Sequence, residues 1–151
     1  MPPALRAANL FRRLAAGCYD LLVLGGILML TSFVIIAARG GKAIPAGSMA
    51  YQAFLALQVA AFFIGFWARG GQTLGMRAWK IRVETSDGRP LSVPGAGIRL
   101  AAAIVSAAAL GLGFLWILID GDGRAWHDRV SATRVVHIDA GGRDSASPRP
   151  G

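Results

Sequence analysis

Three long runs of apolar residues organise the chain. They cover residues 14–38, 50–68 and 98–119, and basic residues lie close to their ends. At 1.5 Å per helical residue, the first run reaches roughly 37 Å, which exceeds the ~30 Å hydrocarbon core of a bilayer. The pattern predicts an all-α membrane protein with three hydrophobic segments.

The polar segments contain two stretches typical of β-strands. Within residues 76–85, Trp79, Ile81 and Val83 alternate with charged side chains, and the turn dipeptide Asp87-Gly88 follows. Residues 134–138 form the second stretch. We therefore expect a small cytoplasmic β element beside the helices. Residues 137–151 are rich in Gly, Ser, Pro and Arg, and this composition predicts a disordered tail.

Composition supports a membrane location. Hydrophobic residues make up 54% of the chain and charged residues 16%, whereas soluble domains carry about 25% charged residues. The net charge is +8. Because the basic residues flank apolar runs, the expected partners are the lipid bilayer and its anionic headgroups. Nucleic acid is not an expected partner, since no recognised nucleic-acid-binding motif accompanies the charge.

The distribution of the 16 basic residues allows two topologies. Three precede the first run, two lie in the following loop, six lie from residue 69 to 99, and five follow the third run. The positive-inside rule places the N-terminus and the 69–99 segment in the cytoplasm. A full third crossing leaves nine basic residues inside and seven outside, whereas a re-entrant third segment gives 14 and two. Gly111 and Gly113 allow such a bend, but each leg would reach only about half the hydrocarbon core.

One carboxylate lies inside the first apolar run. Asp20 is about six residues past the run's start, roughly 9 Å deep, where a charge costs on the order of 2–3 kcal/mol. It either forms an ion pair that locks helix packing or binds an ion or a proton. Arg69 and Arg99 are the expected ion-pair partners, because both have long side chains and lie at cytoplasmic run ends.

Enzymatic chemistry is not expected. The neighbours His127 and Asp128 are typical of an acid–base pair, but no nucleophile is spaced to serve them. His127 and His137 are too few to hold a metal ion. The sequence therefore predicts no catalytic residue, no metal site and no cofactor.

Three short motifs occur in order along the chain. They are residues 12–16 followed by Asp20, residues 71–75 leading into 80–83 and 87–88, and residues 126–129 followed by 132–136. Together they resemble the RDD family, which is named for one arginine and two aspartates. The resemblance identifies these residues as Arg13, Asp20 and Asp128. It covers residues 8–136 as one transmembrane domain. Where family members often have a basic residue, this chain has Met76.

The resemblance implies a multi-pass protein of the bacterial inner (cytoplasmic) membrane, for a family whose general function is not established. Transport, including cation/proton antiport, has been proposed for some members. Two hypotheses follow. The chain is a small transporter or ion-handling protein that acts as a homo-oligomer, because two or three spans enclose little space. Alternatively it is a non-transporting membrane scaffold or accessory subunit. The carboxylate in the first run favours the former, and the lack of further charges inside the runs favours the latter.

Overall fold

The computed structural model describes residues 8–109 and 125–138. The elements in chain order are α1 (Leu10–Ala38), α2 (Met49–Gly70), α3 (Leu74–Ala78), β1 (Ile81–Thr85), α4 (Val93–Ala108), α5 (Trp126–Val130) and β2 (Thr133–His137). The mostly helical fold with a small β element is thereby confirmed. The expected bend at Gly111 and Gly113 lies outside the described residues, as do residues 139–151 of the expected tail. His137, the first residue of that expected tail, is instead the last residue of β2, because it pairs with Ile81.

Two long helices, α1 and α2, correspond to the first two apolar runs. The Asn9 side chain accepts a hydrogen bond from the Arg12 N–H at 3.1 Å and so caps the start of α1. The hydroxyl groups of Ser32 and Tyr51 lie 2.5 Å apart and connect the second half of α1 to the start of α2. Both helices are long and apolar enough to cross a membrane.

The helix that contains the start of the third apolar run begins before the run itself. The run starts at residue 98, yet α4 begins at Val93. The Ser92 hydroxyl accepts the Gly95 N–H at 3.2 Å, and Pro94 lies in the first turn, where a helix needs no N–H donor. The 16 residues of α4 pack against α2 and α5.

The two predicted strands exist and pair with each other in antiparallel fashion. Ile81 lies opposite His137, and Thr85 lies opposite Thr133. Residues 76–78, which we expected to be extended, belong instead to α3, because the Thr73 hydroxyl caps that helix by accepting the Met76 N–H at 3.2 Å. Beneath the strands lies a small apolar core of Ala8, Ala16, Trp67, Ile81, Val83, Leu91, Ala96 and Val135.

The structure contains an internal repeat that the sequence pattern does not reveal. The α3–β1 unit and the α5–β2 unit each consist of a five-residue helix, a two-residue connection and a five-residue strand, and the second unit begins 52 residues after the first. The second connecting residue is left-handed in both, with φ of 53° at Lys80 and 49° at Ala132. Val83 pairs with its own counterpart, Val135, so a local twofold axis passes between them.

Both units lie at one end of the long helices. The Ala8 N–H donates to the Val135 carbonyl at 3.0 Å, which ties the segment before α1 to β2. The Val83 N–H donates to the Gly71 carbonyl at 2.7 Å, which ties the end of α2 to β1. The start of α1, the end of α2 and the C-terminal segment therefore share the same end of the molecule.

Candidate functional site

A buried charge cluster surrounds Asp128 on α5. Arg13 of α1 donates through Nη1 to Oδ2 of this carboxylate, and Arg99 of α4 donates through Nη1 to Oδ1 at 2.5 Å. The Ala125 N–H adds a third hydrogen bond, to Oδ2 at 3.1 Å. The side chain of Asp128 is fully buried, and those of Arg13 and Arg99 are 10% and 3% exposed. The cluster thus joins α1, α4 and α5.

Arg99 extends this cluster to two further elements. Its Nη1 also donates to the Thr133 hydroxyl of β2 at 2.6 Å. Its guanidinium carbon lies 5.1 Å from the centre of the Trp67 ring on α2, within the range of a cation–π contact. A single arginine therefore contacts α2, α5 and β2 at once.

The electrostatics of the cluster stabilise an ionised carboxylate beside a neutral imidazole. Burial alone raises the pKa of Asp128, but the Arg99 and Arg13 guanidinium groups outweigh it and hold that pKa well below its usual range. For His127, burial, together with the repulsion from Arg99, lowers the pKa from 6.5 to about 4. Near neutral pH the histidine is therefore uncharged and two cations face one anion.

Asp20 forms a separate site between α1 and α3, and it is only 3% exposed. The Thr73 hydroxyl donates to Oδ2 at 2.5 Å, and the Gly75 N–H donates to Oδ1 at 2.8 Å. The same hydroxyl accepts the N–H of Met76. Both of these donors are neutral, and no cation among the described residues bonds to the carboxyl. Asp20 thereby fastens α1 to the first turn of α3.

The close approach of α3 to α1 depends on Gly75. A Cβ at this position would lie 2.1 Å from the Ala16 carbonyl oxygen, a distance that real Cβ atoms essentially never show. Only glycine therefore lets its own N–H come within hydrogen-bonding distance of Asp20.

The expectation that Asp20 forms an ion pair with Arg69 or Arg99 is wrong. Arg99 is engaged by Asp128 and Thr133, because α4 packs on α2 and α5. Arg69 is exposed at the end of α2, and its guanidinium lies back over Gly65 of its own helix. The carboxylate that attracts arginine is Asp128, and Asp20 uses neutral donors instead.

The three charged residues singled out by the sequence thus fall into two sites. Arg13 and Asp128, 115 residues apart, meet in one, and Asp20 lies in the other. Sequence reasoning missed Thr73 and Gly75 as the partners of Asp20, although both belong to the second motif. Within residues 8–109 and 125–138, no three His, Cys, Asp or Glu side chains gather as metal ligands.

Comparison with known proteins agrees with the motifs. The sequence profile described as the RDD family matches residues 7–132, which is most of the chain and includes all three named residues. Neither a curated protein nor a solved structure matches the chain significantly. Since the matched region covers well over half of its length, the chain belongs to the RDD family.

Proposed function

We propose that the chain is an integral membrane protein in which α1 and α2 cross the bilayer. The support is the exposure of their large apolar side chains: Leu22 and Met29 are 77% and 74% exposed, and Leu57 is 68% exposed. A helix in the core of a soluble protein would bury such residues, and a continuous exposed apolar surface is typical of contact with lipid.

The proposed topology places the N-terminus, the α3–β1 unit and the α5–β2 unit in the cytoplasm of a bacterial cell. The third apolar segment then enters and leaves the inner membrane on the cytoplasmic side. The pairing of β1 with β2 supports this arrangement, because it requires the segments before and after the third run to lie on one side. The topology also puts 14 basic residues inside and two outside, as the positive-inside rule favours.

Single cysteines test this topology in a Cys18→Ala background. Ala46→Cys reports on the loop between α1 and α2, Ser86→Cys on the segment after β1, and Val130→Cys on the end of α5. A membrane-impermeant thiol reagent applied to intact cells should label Ala46→Cys alone, and lysis should expose the other two. Labelling of Val130→Cys in intact cells would contradict re-entry and support a third full crossing.

For function, we propose that the chain is a non-transporting membrane scaffold that holds the two helix–strand units at the cytoplasmic face for contact with another protein. One observation carries this proposal: Arg13, Asp20 and Asp128 are all used to fasten these units to the long helices. We also propose that His127 and Asp128 have no catalytic role, because two arginines already engage the carboxylate.

Ion or proton handling by a homo-oligomer is the second candidate. It is favoured by Asp20, the carboxyl within α1, whose donors among the described residues are both neutral. An ionisable residue inside a membrane segment is a candidate site for an exchangeable ion or proton when the side chains described around it carry no positive charge.

Flux measurements on purified protein in liposomes separate the two functions. The scaffold proposal predicts no cation/proton exchange above that of protein-free liposomes, for wild type and for Asp20→Asn alike. Ion handling predicts exchange by wild type that Asp20→Asn abolishes while the protein remains folded and oligomeric. Exchange that depends on Asp20 would therefore replace the scaffold proposal.

A further inference from the structure

We propose that one face of α2 is a binding site for an anionic phospholipid of the cytoplasmic leaflet. The site consists of two adjoining cavities on the surface of α2, which we call the α2 groove. This proposal rests on the membrane location proposed above and adds a defined ligand to it.

The larger part of the α2 groove is mainly apolar. It has a volume of about 500 Å³ and runs from Leu57 past Ile64 to Arg69, and Val93 of α4 also lines it. Its lining includes the small residues Ala60, Ala61, Gly65 and Ala68, so the helix surface is recessed there. Twelve residues at 1.5 Å each give a length of roughly 18 Å, close to one leaflet of a ~30 Å hydrocarbon core. The groove therefore matches the depth of one acyl chain.

The smaller part of the α2 groove is basic. It has a volume of about 320 Å³, shares Ala61, Gly65 and Arg69 with the larger part, and is lined by Arg77 and Gln72 beside the end of α2. Arg69 and Arg77 are both exposed, and none of the described residues that line the two cavities is acidic. The two guanidinium groups at this end complement a phosphate, as basic residues at the cytoplasmic membrane surface do for anionic lipids.

The two parts together fit a lipid better than a soluble anion. The arginines attract the phosphate, and the apolar part holds a chain that a free anion lacks. Gly65 lies at the junction, where a Cβ would be 3.2 Å from the Arg69 guanidinium, the far end of a flexible side chain. A larger apolar residue at position 65 can therefore be accommodated in the fold while it fills the groove.

Native mass spectrometry of the full chain, purified in mild detergent, tests the proposal with phosphatidylglycerol and phosphatidylcholine as probes. Wild type should retain one phosphatidylglycerol in preference to phosphatidylcholine. Replacing Arg69 and Arg77 by Gln should reduce that preference about fivefold for each arginine. Gly65→Leu keeps both arginines but should abolish retention of both lipids. The double variant Arg82→Gln/Arg89→Gln removes two exposed charges from the same side of the protein outside the groove, and it should bind like wild type.

Several results would overturn the lipid site. Equal loss of phosphatidylglycerol in the Arg82/Arg89 control would show that only the overall charge matters. Displacement of the lipid by inorganic phosphate would show an anion site. A lipid-free dimer that Gly65→Leu dissociates would show that a second copy fills the groove. Failure of the membrane proposal itself would look different, because the wild-type chain would then be recovered in the soluble fraction of cells.

Discussion

The α3–β1 and α5–β2 units have the same backbone but are fastened to the long helices by different chemistry. On α3, the carboxylate comes from outside the unit: Asp20 of α1 receives the neutral donors of Thr73 and Gly75. On α5, the carboxylate belongs to the unit: Asp128 receives the arginines of α1 and α4. One unit is held by hydrogen bonds from uncharged donors and the other by buried ion pairs.

This difference predicts which contact the fold depends on most. Loss of a hydrogen bond from an uncharged donor to a carboxyl group costs roughly 1–3 kcal/mol, whereas removal of one partner from a buried ion pair leaves an uncompensated charge and costs roughly 3–5 kcal/mol. The α5–β2 unit should therefore be more sensitive to loss of its aspartate than the α3–β1 unit is to loss of Asp20.

The largest effect is expected from Asp128→Asn. The substitution leaves two cations without their carboxylate, and we expect the free energy of unfolding in mild detergent to fall by about 3–5 kcal/mol. Asp87→Asn is the matched control, because Asp87 is an exposed acid near β1 and its loss should have little effect. Adding Arg99→Gln to Asp128→Asn should restore part of the stability. Equal behaviour of Asp128→Asn and Asp87→Asn would mean that the cluster does not hold the unit.

The loss of stability at acid pH should come from the α5–β2 unit. The folded protein keeps His127 neutral down to about pH 4, whereas the unfolded chain protonates this imidazole near pH 6.5. The unfolded state therefore binds more protons in this range, so stability is full above pH 6.5 and falls by about 3 kcal/mol as the pH decreases to 4. Thermal unfolding followed from pH 7.5 to 4 measures this. His127→Gln should flatten the curve and His137→Gln should not; the same slope in His127→Gln would assign the effect to another group.

A smaller loss of stability is expected from Gly75→Ala, which tests the close contact between α3 and α1. The new Cβ would collide with the Ala16 carbonyl, so α3 must move away from α1, at an expected cost of about 1–3 kcal/mol. Gly17→Ala on α1 is the control: no atom lies within 4 Å of its new Cβ, and the protein should be unchanged or slightly more stable. If both variants unfold at the same temperature, the approach of α3 to α1 is not tight.

The smallest effect is expected from Asp20→Asn. The amide oxygen still accepts the Gly75 N–H, and the amide nitrogen can donate to the Thr73 hydroxyl, so stability should fall by about 1 kcal/mol or less. Thr73→Ser, which keeps the hydroxyl, should be similarly mild. The melting temperatures of Asp20→Asn and Thr73→Ser, compared with that of Asp128→Asn, test whether the two units differ in sensitivity. A loss as large as that of Asp128→Asn would mean that Asp20 has a cationic partner after all.

The two long helices and the two strands of this protein are readable from its sequence, whereas the short helices α3 and α5 are not. The apolar runs predict α1 and α2 because their length and composition have local causes, and the alternating residues before Asp87 predict β1. The three motifs identified the family and singled out Arg13, Asp20 and Asp128. Each of these inferences depends on residues close together in the chain, which one sequence displays.

Which charges meet depends on the tertiary packing and could not be predicted from the sequence. Arg99 was expected beside Asp20, but helix packing directs it to Asp128 and leaves Asp20 to Thr73 and Gly75. These contacts join residues 29 to 115 positions apart, and the approach of α3 to α1 that creates one of them depends on a glycine without a side chain. The repeat was likewise hidden from the sequence pattern, because the two units share backbone geometry while different side chains hold them in place.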